Sequence, residues 1–123
     1  MTILQRRTVL LAATGAAAAT FAPALRAQAW PSKPIRLVVT FPPGGSADAV
    51  VRMLVPRLND KLGQQVVVDN RPGAGGNIGL TIVAKAQPGD GYTLGVGAAG
   101  ALAANPSLYA QMPFDPLKDL RPV

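Results

Sequence analysis

The chain has 123 residues, with twelve Lys or Arg, six Asp, and no Glu, His or Cys. These absences exclude a thiol nucleophile, a Ser-His-Asp triad, a disulfide framework and a typical zinc site, and no metal or organic cofactor is suggested. Beyond residue 29, nine basic residues face six aspartates, a net charge of +3; they are scattered with few aromatics between them, which suits small anions and no nucleic acid.

At the N-terminus, Arg6 and Arg7 precede an uncharged stretch from Thr8 to Leu25, and Ala27-Gln28-Ala29 follows as an A-x-A pattern. That is the layout of a cleavable export signal. Gly15 and Pro23 interrupt the stretch and Arg26 closes it, short of the ~20 apolar residues that a membrane span needs. The prediction is a signal over residues 1–29, cleaved after Ala29, and a periplasmic product beginning at Trp30. The arginine pair points to twin-arginine export, while Gln5 and Val9, where Ser or Thr and Phe are usual, leave general secretion open. Residues 30–123 suffice for one small domain with a modest core. No second lobe fits in them.

Ile35 to Phe41 is an almost continuous apolar, β-branched run, which predicts a strand buried on both faces. Pro42-Pro43-Gly44-Gly45 ends it. Ser46 is a candidate N-cap for a helix whose Ala47, Val51, Leu54, Leu58 and Leu62 form one apolar face. Gly63 is its expected stop, and Pro56 predicts a kink or a break inside it. Val66 to Asp69 reads as a second strand, followed by the glycine-rich loop Asn70 to Gly76. Asn77 is a candidate cap for a helix over about Ile78 to Ala86 that would bury Ile78, Ile82, Val83 and Ala86. A turn at Pro88-Gly89-Asp90-Gly91 leads to a third strand, Tyr92 to Gly97. Past Ala98, a short helix over Ala99 to Ala104, a break at Asn105-Pro106 and a proline-rich tail are expected. Strand and helix alternate, which defines an α/β fold with a parallel sheet, right-handed crossovers and flanking helices.

In such a fold, chemistry gathers at the carboxyl ends of the strands, where helix N-termini present unpaired N–H groups. Two loops qualify. In the first, Gly44 and Gly45 let backbone approach a ligand and the Ser46 hydroxyl can cap the helix or donate to an oxyanion. Asp48 either complements the helix dipole or accepts from a protonated ligand group or water. The second runs from Asn70 to Asn77 with three glycines and Arg71 at its entrance. Both read equally well as anion cradles or as tight turns with simple caps.

Several long motifs carry a resemblance. Trp30-Pro31-Ser32-Lys33-Pro34-Ile35-Arg36, Phe41-Pro42-Pro43-Gly44-Gly45-Ser46-Ala47-Asp48, Asn70-Arg71-Pro72-Gly73-Ala74-Gly75-Gly76-Asn77-Ile78-Gly79, Asp90-Gly91-Tyr92-Thr93-Leu94 and Asn105-Pro106-Ser107-Leu108-Tyr109 resemble, in this order, the Bug family of periplasmic solute receptors. These are the substrate-binding proteins of tripartite tricarboxylate transporters. The resemblance implies a periplasmic-binding-protein type II-like lobe, of which this chain is the N-terminal part with the second lobe absent. It also implies a monomer that is not an enzyme, closes on a small carboxylate and delivers it to membrane components of the transporter. Carried over by position, Pro43, Gly44, Gly45, Ser46 and Asp48 match the first ligand loop, and Gly73, Ala74, Gly75 and Gly76 the second. The third loop holds Gly97 and Ala98 where a hydroxyl or imidazole often stands. The resemblance further implies that Gly45→Val would crowd the ligand and strain any positive φ.

Two other readings are open. Gly95-Val96-Gly97-Ala98-Ala99-Gly100 matches G-x-G-x-x-G after a predicted strand, the mark of a nicotinamide-linked oxidoreductase; Asn105-Pro106 interrupts the helix that this fingerprint requires. The other is an inert fragment of a truncated gene.

Overall fold

The computed structural model describes residues 29–86, 89 and 91–123. The export signal expected over residues 1–29 therefore lies, apart from Ala29, outside the described residues. Three strands, β1 (Ile35–Val39), β2 (Val66–Asn70) and β3 (Thr93–Val96), form a parallel sheet in the order β2-β1-β3. Helix α1 (Ser46–Leu62) joins β1 to β2, and α2 (Asn77–Ala84), entered through a 3-10 turn at Ala74–Gly76, joins β2 to β3. Two short helices follow, α3 (Ala99–Ala103) and α4 (Asn105–Leu108).

The first strand is central because its residues are apolar on both sides. Ile35, Val38 and Val39 are fully buried. Alternation sends Ile35, Leu37 and Val39 toward α1, where they pack with Val51, Val55, Leu58 and Leu62. Val38 faces the other way. On that side lies a second cluster of Leu80, Ala101 and Phe114, with Met112 and Leu120 against it. The connections leave β1 toward β2 and then cross back over β1 to β3, so crossovers of one hand place α1 and α2 on opposite faces. β3 shows the same alternation: Leu94 and Val96 join the α1 side, while a Cβ at Gly95 would meet Val83 at 2.9 Å and one at Gly97 would meet Leu80 at 3.0 Å. Missing side chains let α2 lie close to the sheet.

Several local expectations need correction. Helix α1 runs unbroken through Pro56. Its apolar face is held along the sheet by Val51, Val55, Leu58 and Leu62, and that burial outweighs a proline penalty of ~3 kcal/mol. Gly63 does stop it, in a left-handed conformation at φ 62° with its N–H donated to the Asn59 carbonyl. Neither Ser46 nor Asn77 is a cap; each is the first residue of its helix, behind an N-cap glycine at 45 or 76. Ile78 is 49 % exposed, and the buried residues of α2 are Asn77, Gly79 and Leu80. The cause is a close approach at the start of the helix, where a Cβ at Gly79 would stand 2.9 Å from both the Arg71 carbonyl and the Thr40 methyl. That contact turns Gly79 inward and Ile78 outward, over Gly73. Asn105-Pro106 ends α3 as expected but also opens α4, with Pro106 in its first turn, a position where its missing N–H is not needed.

Candidate functional site

All three strands are parallel, so their carboxyl ends, and the loops that leave them, share one edge of the sheet. Backbone and side-chain bonds bind these ends together. The Arg71 N–H donates to the Val39 carbonyl at 2.8 Å, and Thr40 sends both its N–H and its hydroxyl to the Val96 carbonyl at 3.0 Å. Thr40 thus joins the end of β1 to the end of β3, and it is buried.

In the first loop, Pro43 and Gly44 are exposed and Gly45 is half-buried. Gly44 adopts φ +79° with open space around its Cβ position, whereas Gly45 is extended at φ −76° and ψ 171°. The strain expected of Gly45→Val therefore does not arise; left-handed backbone belongs to its neighbour. No side chain caps Gly45. The N–H groups of Ser46, Ala47 and Asp48 have no intrahelical acceptor, because the first turn of any helix lacks them, and they open at the loop edge with the positive end of the helix dipole.

Asp48 sits beneath this turn and is 2 % exposed. Its carboxylate accepts from the Gly44 N–H at 2.9 Å and Arg52 Nε at 2.8 Å through Oδ2, and from Asn70 Nδ2 at 2.9 Å through Oδ1. The Arg52 bond, then the Gly44 N–H and the Asn70 amide, hold its carboxyl far below the usual range against the opposing effect of burial. Asn70 also donates to the Phe41 carbonyl at 3.1 Å and accepts from Arg52 Nη2 at 3.2 Å. Arg52 did not stand out in the sequence, although it lies four residues from Asp48 on the same helix; Asn70 was read only as the start of the second loop, because its bond to Asp48 forms only when β2 lies beside β1.

The second loop is shaped by its backbone. Gly73, Ala74, Gly75 and Gly76 have φ of 123°, 48°, 63° and 97°. A Cβ at Gly76 would meet that of Ala101 at 3.1 Å, and Gly75 lies under Asn105 and the Tyr109 hydroxyl. Buried Asn105 donates to the Gly75 carbonyl at 3.2 Å and to Asn77 Oδ1 at 2.7 Å, and Asn77 Nδ2 reaches Met112 Sδ at 3.4 Å. At the root of the loop, Asp69 is bonded by Arg36 and by Arg71, the latter at 2.9 Å. These bonds, Arg36 foremost, lower its carboxyl pKa.

The third loop contributes little polarity of its own. Ala98 is the extended N-cap of α3, and Gly97 lies against Leu80. Its helix touches the second loop through Ala101 and Gly76. Pro43, Gly44, Gly45, Ser46, Gly73, Ala74, Gly75, Gly76, Gly97 and Ala98 thus gather at one edge, while Asp48 lies below it with its oxygens engaged by protein donors. Among the described residues, no cluster of three or more acidic side chains could hold a metal ion.

Parallel strands that deliver glycine-rich, uncapped helix starts to one edge mark the ligand-facing side of an α/β binding lobe. A family model described as the tripartite tricarboxylate transporter family receptor matches residues 50–123. Protein BugT of Bordetella pertussis (strain Tohama I) is 47% identical over 119 residues, covering 94% of this chain and 36% of its own length. Among solved structures, periplasmic binding protein BugD superposes with a TM-score of 0.71 at 42% identity, over 76% of this chain and 31% of that one. MatC from Rhodopseudomonas palustris with bound malate gives 0.70 at 38% identity, over 76% and 32%. The chain belongs to the tripartite tricarboxylate transporter receptor family, the Bug solute-binding proteins, and has the fold of part of one of their lobes. It spans about a third of the length of the relatives that it matches.

Proposed function

We propose that this chain supplies one wall of an extracytoplasmic receptor that captures a small carboxylate for a tripartite transporter. The observation that carries the reading is the pairing, on adjacent strands, of two glycine-rich loops that each open an uncapped helix. A carboxylate seated between them would accept from the N–H groups of Ser46 and Ala47 on one side and from that of Gly75 on the other, since the Gly76 N–H is already donated to the Gly73 carbonyl at 2.9 Å. The positive ends of the two helices favour a negative charge there. With Gly97 and Ala98 forming the floor, the backbone would recognise the carboxylate itself and leave the rest of the ligand to the remainder of the receptor. Malate, the ligand in MatC's solved structure, is the natural first probe. A second reading, nicotinamide binding at Gly95 to Gly100, loses support because Gly95 and Gly97 already serve close packing against Val83 and Leu80.

In this reading, residues 1–29 direct export and are removed after Ala29, residues 30–123 belong to the first lobe, and a monomeric receptor hands its ligand to membrane components of the transporter. N-terminal sequencing of the periplasmic product should begin at Trp30; any other start displaces the cleavage site. For the binding site, Gly45→Val is the direct probe, since its extended backbone accepts a branched residue. In a receptor extended to the length of its relatives, calorimetry with malate should show affinity weakened by about tenfold or more, equivalent to ~1.4 kcal/mol, with a loss of stability confined to the poorer N-cap, about 1 kcal/mol or less. Unaltered affinity would remove the first loop from the site.

A further inference from the structure

We propose that Asp48 is a positioning residue that does not touch the ligand: with Arg52 and Asn70 it latches the first loop to the end of β2. The proposal rests on the carboxylate-capture reading for its functional meaning, and on geometry for its substance. A ligand contact needs a free oxygen facing the loop edge. Here Oδ2 already accepts from the Gly44 N–H and Arg52, and Oδ1 accepts from Asn70, on a side chain only 3% exposed. A buried carboxylate next to an anion site would also repel the ligand unless its charge were balanced, and Arg52 supplies that balance at 2.8 Å.

The three partners occupy three different places. Gly44 is in the turn whose left-handed backbone sets the direction of the following N–H groups. Arg52 is one helical turn further along α1, and Asn70 is the last residue of β2, where the second loop begins. Asn70 Nδ2 bridges Asp48 and the Phe41 carbonyl, so one amide fixes the end of β1, the start of α1 and the root of the second loop. The latch makes the two cradles one preorganised unit, and a carboxylate meets donors that need no rearrangement.

Asp48→Asn tests this by sign. Removing a mere bystander charge would strengthen capture of a dianion, whereas replacing one acceptor oxygen of the latch with a donor facing Arg52 or Asn70 should weaken it. In the 123-residue chain, amide exchange at Gly44 should quicken by about tenfold in this variant, the scale of a lost charge-assisted hydrogen bond. Asn70→Ala should quicken it less, and should also reduce the malate-induced shifts of Ser46 and Ala47. In the wild type, the Gly44 amide signal should stay flat as pH passes ~3.9, the ordinary aspartate value, and move only at lower pH. Arg52→Ala, at a side chain 55% exposed, gives the same comparison if Asp48→Asn does not fold. Unchanged Gly44 exchange in the variants, or a malate response equal or larger in Asp48→Asn, overturns the latch. Should the wild-type chain show no malate response at all, the capture reading fails, and Gly44 exchange still decides the latch.

Discussion

The loop after β1 keeps its shape through side chains, whereas the loop after β2 keeps it through backbone conformation. In the first, a single left-handed glycine at 44 is tied to Asp48, and the rest of the turn is ordinary extended or helical chain. In the second, four successive residues have positive φ and the outside help is an amide from Asn105. Substitution should therefore harm the two loops differently. Backbone-defined structure fails when a Cβ is added, and side-chain-defined structure fails when a carboxylate is removed.

The largest effect should come from Gly76→Val. It places a β-branched residue at φ +97° with Ala101 at 3.1 Å from the new Cβ, so backbone strain of about 1–3 kcal/mol adds to overpacking of similar size. Urea denaturation of the chain should show both penalties together. In the first loop the same test is milder: Gly44→Ala meets no neighbour within 4 Å and should lose only the left-handed penalty, about 1–2 kcal/mol. Gly45→Ala should lose only the N-cap preference of Gly over Ala, under about 1 kcal/mol, and a loss larger than that of Gly44→Ala would show that the two glycines are not distinguished by backbone as described here.

Much of this contrast was hidden from sequence reasoning for identifiable reasons. The apolar run of β1, the Gly63 stop and the strand-helix alternation are local patterns, and each is found where expected. Both glycine loops were visible for the same reason. Asp48 and Arg52 stand four residues apart on α1, a spacing that pairs helix side chains, but no spacing rule connects either of them with Asn70 on β2. Asn105 and Asn77 meet only after α3 and α4 fold back on α2. The helix face of α2 was misread because apolar character favoured Ile78, whereas space favoured Gly79, and a contact with the Arg71 carbonyl decided it. Ser46 and Asn77 suit the cap role chemically, but glycine holds each N-cap position.

A contrast of comparable size separates the glycines of the G-x-G-x-x-G match. Gly95→Ala would press on Val83, a stiff β-branched side chain, at 2.9 Å, and should destabilise by about 1–3 kcal/mol. Gly100→Ala has open space and should stabilise α3 by about 0.4–1 kcal/mol. Equal thermal shifts for the two would show that packing does not explain the motif.

At neutral pH the acidic network contributes its full stabilisation. Asp48, Asp69 and Asp115 all have lowered pKa values, held down first by Arg52, Arg36 and Lys118 respectively. Groups lowered in the folded state stabilise it above their unfolded pKa, and that stabilisation is lost as pH falls through the folded value. Melting temperature should therefore be level from pH 7 to about 5 and decline below about 4, the ordinary aspartate range. Asp48→Asn should flatten the decline, and an identical profile in that variant would contradict a lowered carboxyl at this position.

Titration of the 15N-labelled chain with malate, followed by amide shifts, tests the central claim most directly. One lobe leaves an anion half solvated, and a helix terminus contributes about 0.3–1 kcal/mol per charge, so two of them fall short of the ~4 kcal/mol that a millimolar dissociation constant requires. Shifts confined to Gly44 through Ala47 and Gly73 through Asn77, without saturation below about a millimolar, are the predicted result. Shifts centred elsewhere, or none at these amides at the highest malate concentration, would contradict the site, and micromolar saturation would contradict the need for a second lobe.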